Sequence, residues 1–445
     1  MQDYKPRLEQ RLDSLREPFA AFIRAQATAS GFLLLALIGA MLVANSPFAQ
    51  QLVSLQDYEL GLVFGQQEFT WSLLHLVNDG LIAVFFFLIG LEVKRELLAG
   101  ELQDIRRVGL LLSAALGGML APAGLYLVVN SLGGGVVAGW GIPMATDTAL
   151  AIGVLAALAA RVPRSVVAFL VGVAIIDDIG AILVIALVYT DRLAWPALLA
   201  AIGSIAVLML LNRSGIRHPL MYVAVGLLLW MAIVQSGVHA SLAGVIVAAT
   251  VPARPRIAPR QLKKRIHRAA DELDADAHHE KVLGDAGTHD QIARVERVAQ
   301  AATTPLRRWE NSLELPVALL VLPLFAFLNA GIELSTQSLR QVLADPVAWG
   351  IVVGLTLGKP LGLWLGVRLG ERAGLAARPR GLDDARLLGV GLVAGVGFTM
   401  STFIAHLALE GTPETLESAK LAIVAASAIS AVGGYILLRR AAARH

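Results

Sequence analysis

The stretch Ala168–Tyr189 reads AFLVGVAIIDDIGAILVIALVY, and the two adjacent aspartates in it decide how the chain must fold. Between Arg164 and Asp191 the only charged residues are Asp177 and Asp178, with twelve uncharged residues on either side. A helix of this length spans roughly 39 Å, enough to cross a bilayer core of about 30 Å. Near mid-membrane each carboxylate costs roughly 2.5–3.5 kcal/mol. The pair is therefore either a structural pair satisfied by neighbouring helices or, as we expect, a cation or proton site.

The composition is that of a polytopic membrane protein. Of the 445 residues, 56% are hydrophobic and 16% are charged, and long apolar runs recur along the chain. The absence of cysteine excludes disulfides and thiolate metal sites. The basic residues lie in loops without an aromatic binding face, so nucleic acid is not an expected partner.

The apolar runs predict an all-α protein with twelve transmembrane helices. Their bounds are 28–45, 71–91, 108–130, 135–158, 165–190, 194–212, 219–235, 238–251, 313–331, 346–367, 387–409 and 417–438. Gly237 is the only obvious break between the seventh and eighth spans. The predicted organisation is a basic amphipathic segment on the cytoplasmic membrane surface (1–27), spans one to eight (28–251), a charged cytoplasmic loop (252–312), spans nine to twelve (313–438) and a cytoplasmic tail (439–445).

The distribution of basic residues supports this count. With twelve spans, 33 of the 37 lysines and arginines lie in the termini and even-numbered loops, and the odd-numbered loops contain only Arg192, Arg340 and Lys420. The positive-inside rule then makes both termini cytoplasmic, as in a protein of the bacterial inner membrane.

Two connections have features of their own. The loop 46–70 has no lysine or arginine, and ELGLVFGQQEFTW around Gly65 predicts a hairpin. The loop 252–312 carries a DADAHHE run, which we interpret as a solvated helical or disordered segment rather than a metal site. Its four histidines are His267, His278, His279 and His289.

Spans four and eleven are predicted to be broken helices. Span four contains GWGIPMATDTALAIG, with Pro143 and three glycines around Asp147. Span eleven contains GVGLVAGVGFTMSTF, which ends in the hydroxyl residues Thr399, Ser401 and Thr402. Such breaks survive in a membrane where the freed backbone is buried in protein or lines a cavity, and paired breaks in two halves indicate an inverted-repeat transporter.

A lysine also lies deep in span ten, where it is too central to reach the surface. An unpaired ammonium there is costly, so Lys359 needs an anionic partner. The candidates are Asp178, Asp147 and the negative end of a broken half-helix, and the lysine is either a structural counter-charge or part of transport.

These groups suggest an antiport mechanism. Two adjacent carboxylates in a low dielectric repel each other, and a small hard cation such as Na⁺ prefers oxygen ligands like those of Asp177, Asp178 and the Thr146 hydroxyl. Cation and protons then compete for the same oxygens. If the loaded or protonated site can face either side of the membrane but the empty charged site cannot, the exchange is obligatory.

At these residues the chain resembles the NhaA family of Na⁺/H⁺ antiporters over nearly its whole length. The matching motifs are NDGLIAVFFFLIGLEVKREL (Asn78–Leu97), IPMATD, AIIDDIGAI, SGVHASLAGVIV (Ser236–Val247), PLFAFLNAG (Pro323–Gly331), GKPLG and GVGFTMS (Gly395–Ser401). The resemblance implies an electrogenic, cofactor-free exchanger of cytoplasmic Na⁺ or Li⁺ for external protons, with Asp177 and Asp178 as the ion-binding pair. Asp147 and Lys359 match charges that offset the half-helix dipoles, and Thr146 matches a polar neighbour of the site.

The resemblance also implies regulation by pH and a homodimer formed through the hairpin between spans one and two. The family's pH-responsive positions map onto Glu92, Arg95, Glu96, Glu310 and, separately, His239. For the surface charges among them, ordinary ion pairing at helix ends is the alternative. The long loop 252–304, and the lack of the family's usual histidines near the start of span nine, leave the pH set point open.

Other functions fit the charges less well. An intramembrane aspartyl protease using Asp147 and Asp177 has no need of Asp178 or Lys359, and a prenyl-type enzyme needs carboxylates at the cytoplasmic edge. A cation channel is the nearer rival, because it uses the same ligands but needs no proton. The sequence leaves selectivity, stoichiometry and the carrier of the second proton open.

Overall fold

The chain is described as a computed structural model, in which most of the described backbone is α-helical. The description covers residues 7–64, 67–100, 105–158, 161–190, 193–255, 262, 302–375, 377–379 and 381–443. In hydrocarbon each backbone N–H and C=O needs an internal partner, and a helix supplies all of them within one segment. The apolar runs of this sequence therefore become helices.

The helices of the first half precede the long charged loop. They are α1 (Arg7–Ala44), α2 (Ala49–Gln56), α3 (Leu73–Ala99), α4 (Ile105–Gly133), α5 (Thr148–Ala156), α6 (Arg164–Val188), α7 (Trp195–Arg213), α8 (Pro219–Ser236) and α9 (Leu242–Thr250). The strands β1 (Glu59–Phe64) and β2 (Gln67–Ser72) pair antiparallel, with Glu59 opposite Ser72. The predicted hairpin is confirmed, although residues 65 and 66 at its turn lie outside the described part.

The helices of the second half follow that loop. They are α10 (Pro305–Asn329), α11 (Thr336–Ala344), α12 (Pro346–Arg372), α13 (Asp384–Ala394), α14 (Phe398–Ala408) and α15 (Pro413–Ala442). Proline starts α10, α12 and α15, where its missing N–H costs no helical hydrogen bond. Single π-helical turns interrupt α3 at Leu76–Leu81, α10 at Val317–Val321 and α12 at Gly354–Gly358.

The helix lengths make the chain an all-α polytopic membrane protein. Among the described residues, ten helices are long and apolar enough to cross a membrane, and the bent pair α13–α14, at 52°, makes an eleventh if it counts as one span. The predicted span 238–251 contains only the nine helical residues of α9. Gly237 ends α8 in the left-handed conformation with φ +81°, and turns occupy the residues before α9.

The helix bounds also bear on the predicted organisation. Helix α1 starts inside the predicted surface segment 1–27 and continues to Ala44 without a break. Helix α10 starts at Pro305, inside the predicted loop 252–312. Most of that loop, including its four histidines, lies outside the described residues.

Two apolar segments lose their α-helical ladder near the middle, and the two interruptions meet. In the first, a 3₁₀ helix, Val137–Met144, contains Pro143 and is followed by non-helical residues up to Asp147, which precedes α5. In the second, residues 395–397 separate α13 from α14. The Asp147 N–H donates to the Val396 carbonyl at 2.7 Å, so each interruption satisfies part of the backbone freed by the other.

Helices α4 and α12 pack at backbone contact, and this packing positions Lys359. A Cβ added to Gly362 would lie 2.2 Å from the Gly117 carbonyl oxygen, and one added to Gly366 would lie 2.0 Å from the Ser113 carbonyl oxygen. Only glycine permits this approach. Lys359 lies one turn before Gly362 and is itself fully buried.

We expect Gly362→Ala to destabilise the protein by about 1–3 kcal/mol, because the added methyl group forces α4 and α12 apart. Thermal unfolding of the purified protein in detergent measures the change. Gly124→Ala, on α4 where no heavy atom lies within 4 Å of the added Cβ, is the control and should unfold at the wild-type temperature or above it. Equal unfolding temperatures for both variants would contradict the packing argument.

Candidate functional site

The aspartate pair lies on α6 inside the helix bundle. The side chains of Asp177 and Asp178 are 1% and 8% exposed, and the apolar residues around them on α6 are also buried. A carboxylate in such surroundings needs hydrogen bonds or a counter-charge. The neighbours that supply them come from both interrupted segments and from α12.

Lys359 is the counter-charge, and it pairs with the first aspartate of the two. Its Nζ lies 2.7 Å from Asp177 Oδ2, with both side chains fully buried. The same Nζ donates to the Met144 carbonyl oxygen, at the C-terminal end of the 3₁₀ helix. Of the candidate partners, Asp178 and Asp147 are wrong, because the Lys359 ammonium reaches Asp177 instead. The expected contact with the negative end of a half-helix is confirmed.

Thr146 joins the aspartate pair to the second interruption. Its hydroxyl lies 2.9 Å from Asp177 Oδ2 and 2.9 Å from the carbonyl oxygen of Ala394, the last residue of α13. Because a hydroxyl has one proton, it donates to one of these oxygens at a time. Thr146 is thus a polar neighbour of the pair.

Asp147 lies at the start of two helices at once. One carboxylate oxygen accepts from the Leu150 N–H at 3.1 Å and caps α5. The other accepts from the N–H and the hydroxyl of Thr399 on α14, at 3.1 and 2.6 Å. Both helices present their positive ends here, so one negative charge offsets two helix dipoles. At the C-terminal end of the 3₁₀ helix, the positive charge of Lys359 offsets the negative end of that helix dipole.

Sequence reasoning did not include Thr399 among the site residues. The signal was available, because Thr399 follows the glycines of the second interruption. The sequence does not predict that this hydroxyl hydrogen bonds to Asp147, which lies 252 positions away in the chain.

The aspartates keep free oxygen atoms. Asp177 Oδ1 is buried and has no hydrogen-bond partner among the described residues. Across the described part of the chain, the Asp178 carboxylate makes no hydrogen bond or ion pair to another side chain. These oxygens and the Thr146 hydroxyl are hard donors of the kind that small cations prefer, and each carboxylate can take a proton instead.

The positions expected to respond to pH fall into two places. Arg95 holds three carboxylates together, with Nη atoms 3.5 Å from Glu92, 2.9 Å from Glu96 and 3.2 Å from Glu310. His239 is not part of this cluster. Its Nε2 lies 3.7 Å from Asp79 Oδ1, and its Nδ1 lies 2.9 Å from the Ser241 hydroxyl.

The fold and the site define a class of protein: a polytopic membrane transporter with ionisable groups between interrupted helices. The family model described as Na⁺/H⁺ antiporter 1 matches residues 20–438. The chain is 44% identical to the Na⁺/H⁺ antiporter NhaA 2 of Psychromonas ingrahamii, over 98% of this chain and 92% of that protein. It is 43% identical to the Na⁺/H⁺ antiporter NhaA 1 of Shewanella denitrificans, over 97% of this chain and 96% of that protein. The chain belongs to the NhaA family of Na⁺/H⁺ antiporters.

Removing one member of the buried ion pair should cost more stability than removing both. We expect Lys359→Met to destabilise the protein by about 3–5 kcal/mol, because it leaves the Asp177 charge buried without its partner. The double variant Lys359→Met/Asp177→Asn should recover most of this loss. Thermal unfolding of the four proteins of this cycle measures the coupling, and additive losses in the double variant would show that the two groups do not interact.

Proposed function

We propose that this protein exchanges cytoplasmic Na⁺ or Li⁺ for external protons by competition at Asp177 and Asp178. One observation carries the proposal: within the described residues, carboxylate oxygens without hydrogen-bond partners lie beside the buried Lys359 ammonium where two interrupted helices meet. With both aspartates ionised, the local charge of the pair and Lys359 is −1. This negative charge favours the binding of a proton or an alkali ion at the carboxylates.

The pairing of Lys359 suggests where two protons are held. One proton is held by Asp178, and the other belongs to the coupled Asp177–Lys359 pair rather than to either residue alone. A cation that binds both carboxylates releases the Asp178 proton and weakens the hold of Asp177 on the Lys359 ammonium, which then loses the second proton from Nζ. Since one cation then displaces a proton from each place, transport moves net charge and is electrogenic.

Coupling follows from the cost of moving the empty site. An uncompensated charge is expensive in hydrocarbon, so the loaded or protonated site changes its side of access and the empty one does not. Thr146 and Asp147 contribute by holding the interrupted segments at the aspartates. No cofactor or resident metal is required, because the alkali ion is the substrate.

We further propose twelve crossings in the bacterial inner membrane, with both termini cytoplasmic and spans four and eleven related as inverted repeats. The distribution of lysine and arginine supports the orientation. The eighth crossing then combines α9 with the turns before it, and the charged loop 252–312 lies in the cytoplasm. The β1–β2 hairpin offers exposed strand edges that suit a homodimer contact.

Regulation by pH is assigned to the Arg95 cluster. Three carboxylates around Arg95 carry excess negative charge even with Arg307 3.7 Å from Glu310, and their protonation changes how α3 is held against α10. His239 is a separate pH-responsive position at its contact with Asp79.

We expect Asp177→Asn and Asp178→Asn each to abolish cation-dependent collapse of ΔpH in everted vesicles, because each variant removes one carboxylate that cation and proton share. Wild type should collapse ΔpH on addition of Na⁺ or Li⁺. Asp57→Asn, at an exposed aspartate between α2 and β1, is the matched control and should retain activity. Full Na⁺-dependent exchange in either site variant would refute the assignment of that aspartate. A cation channel would instead admit Na⁺ without moving protons.

Glu92→Gln and Glu310→Gln should shift the pH profile of exchange by about one unit while leaving the maximal rate largely intact, because each removes one negative charge from the Arg95 cluster. The profile is measured in the same vesicles. Glu333→Gln, at an exposed position beyond the C-terminal end of α10, is the control. An unchanged profile in both variants would mean that the cluster has only a structural role.

A further inference from the structure

A polar cavity opens on the side of the bundle that we propose to be external. Its volume is about 760 Å³, and its lining includes His75, Asp79, His239, Tyr189 and Glu410. Asp79 lies between two histidines, 3.1 Å from His75 Nε2 and 3.7 Å from His239 Nε2. Water and cations can therefore reach well into the bundle from this side.

An aromatic cluster forms part of the wall of the cavity. Phe403 of α14 is 3% exposed and lines the cavity. Its ring packs against His239 at a centroid distance of 5.3 Å, edge to face, against Phe86 of α3 at 5.5 Å and against Phe325 of α10 at 6.5 Å. Four rings from four parts of the chain thus meet at one point.

The cluster is one helical turn from the proposed ion site. Thr399 and Phe403 are four residues apart on α14, so they lie on the same face of the helix, about 6 Å apart along its axis. Thr399 donates to Asp147, and Phe403 faces the cavity. Along α14, Phe403 therefore lies between Thr399, which contacts Asp147, and the later residues of the helix that line the cavity.

We infer that Phe403, closed against His239, Phe86 and Phe325, is the external gate of the exchange pathway. This inference rests on the proposed location of the ion site. Hydrated ions do not pass between packed aromatic rings, so access from outside requires α14 to move away from α3 and α10. Asp79 and Ser241 hold His239 in place, so the wall stays fixed while the helix carrying Phe403 moves.

The absence of cysteine from the chain allows a direct test. Thr399→Cys places a reporter thiol below the gate, and the backbone N–H of residue 399 still donates to Asp147 after this change. The thiol is labelled with a membrane-impermeant methanethiosulfonate reagent applied to the external face of right-side-out vesicles. We expect Phe403→Ala in this background to speed labelling about tenfold, because removing the ring shifts the gate toward its open state.

Four further variants make the result specific. Phe403→Trp keeps an aromatic ring at the gate and should label at the rate of the Thr399→Cys parent. Phe403→Leu removes less of the side chain than Phe403→Ala does, so its labelling rate should lie between those of the parent and Phe403→Ala. Phe85→Ala removes a neighbouring ring that packs against Phe86 and is the matched control with unchanged labelling. Glu410→Cys, at the exposed rim of the cavity, should react at one rate with or without Phe403→Ala.

The gate is refuted if folded Phe403→Ala and Phe403→Leu proteins both label at the parent rate. It is also refuted if Phe85→Ala opens the site as much as Phe403→Ala does. Labelling does not require transport, so this outcome is distinct from failure of the aspartate assignment, which the ΔpH measurements detect.

Discussion

The buried ion pair between Asp177 and Lys359 is the constraint on which the rest of the structure depends. A carboxylate and an ammonium at this depth are costly unless each has a partner, and here each is within 2.7 Å of the other. Among the described residues, the pair leaves Asp177 Oδ1 without a hydrogen bond and the adjacent Asp178 without a salt bridge of its own. The proposed site is therefore stable enough to fold, while the two aspartates and Lys359 together keep one uncompensated negative charge, as the proposed exchange of cations for protons requires.

The two interruptions in the helices supply the remaining compensation. Breaking a helix inside the membrane exposes partial charges at the new helix ends. In this protein a side chain of opposite charge lies at these ends. Asp147 accepts from the starts of α5 and α14, and Lys359 donates to the end of the 3₁₀ helix. Because the interrupted segments also hydrogen bond to each other, a movement of one is transmitted to the other. The tight packing of α4 on α12 provides the fixed support for Lys359.

Much of this arrangement could be predicted from the sequence, because depth in the membrane follows from counting residues. The length of α6 sets the aspartates at mid-depth, and proline with glycine marks the interruption before Asp147. The rotation of each helix about its axis, and which side chains pair between helices, do not follow from counting residues. The partner of Lys359 and the contact of Thr399 with Asp147 both depend on which helix faces meet. The predicted span 238–251 failed to form a full helix for a local reason, since the left-handed Gly237 is followed by turns before α9.

The central claim is that an alkali ion and protons occupy the same carboxylates in turn. Proton release on cation binding by the purified protein, in a weakly buffered detergent solution without a membrane gradient, tests this claim most directly. Our account predicts that adding Na⁺ acidifies the solution and that the acidification saturates as the site fills. Choline chloride at the same ionic strength should have no effect. Saturable Na⁺ binding without release of protons would contradict the account.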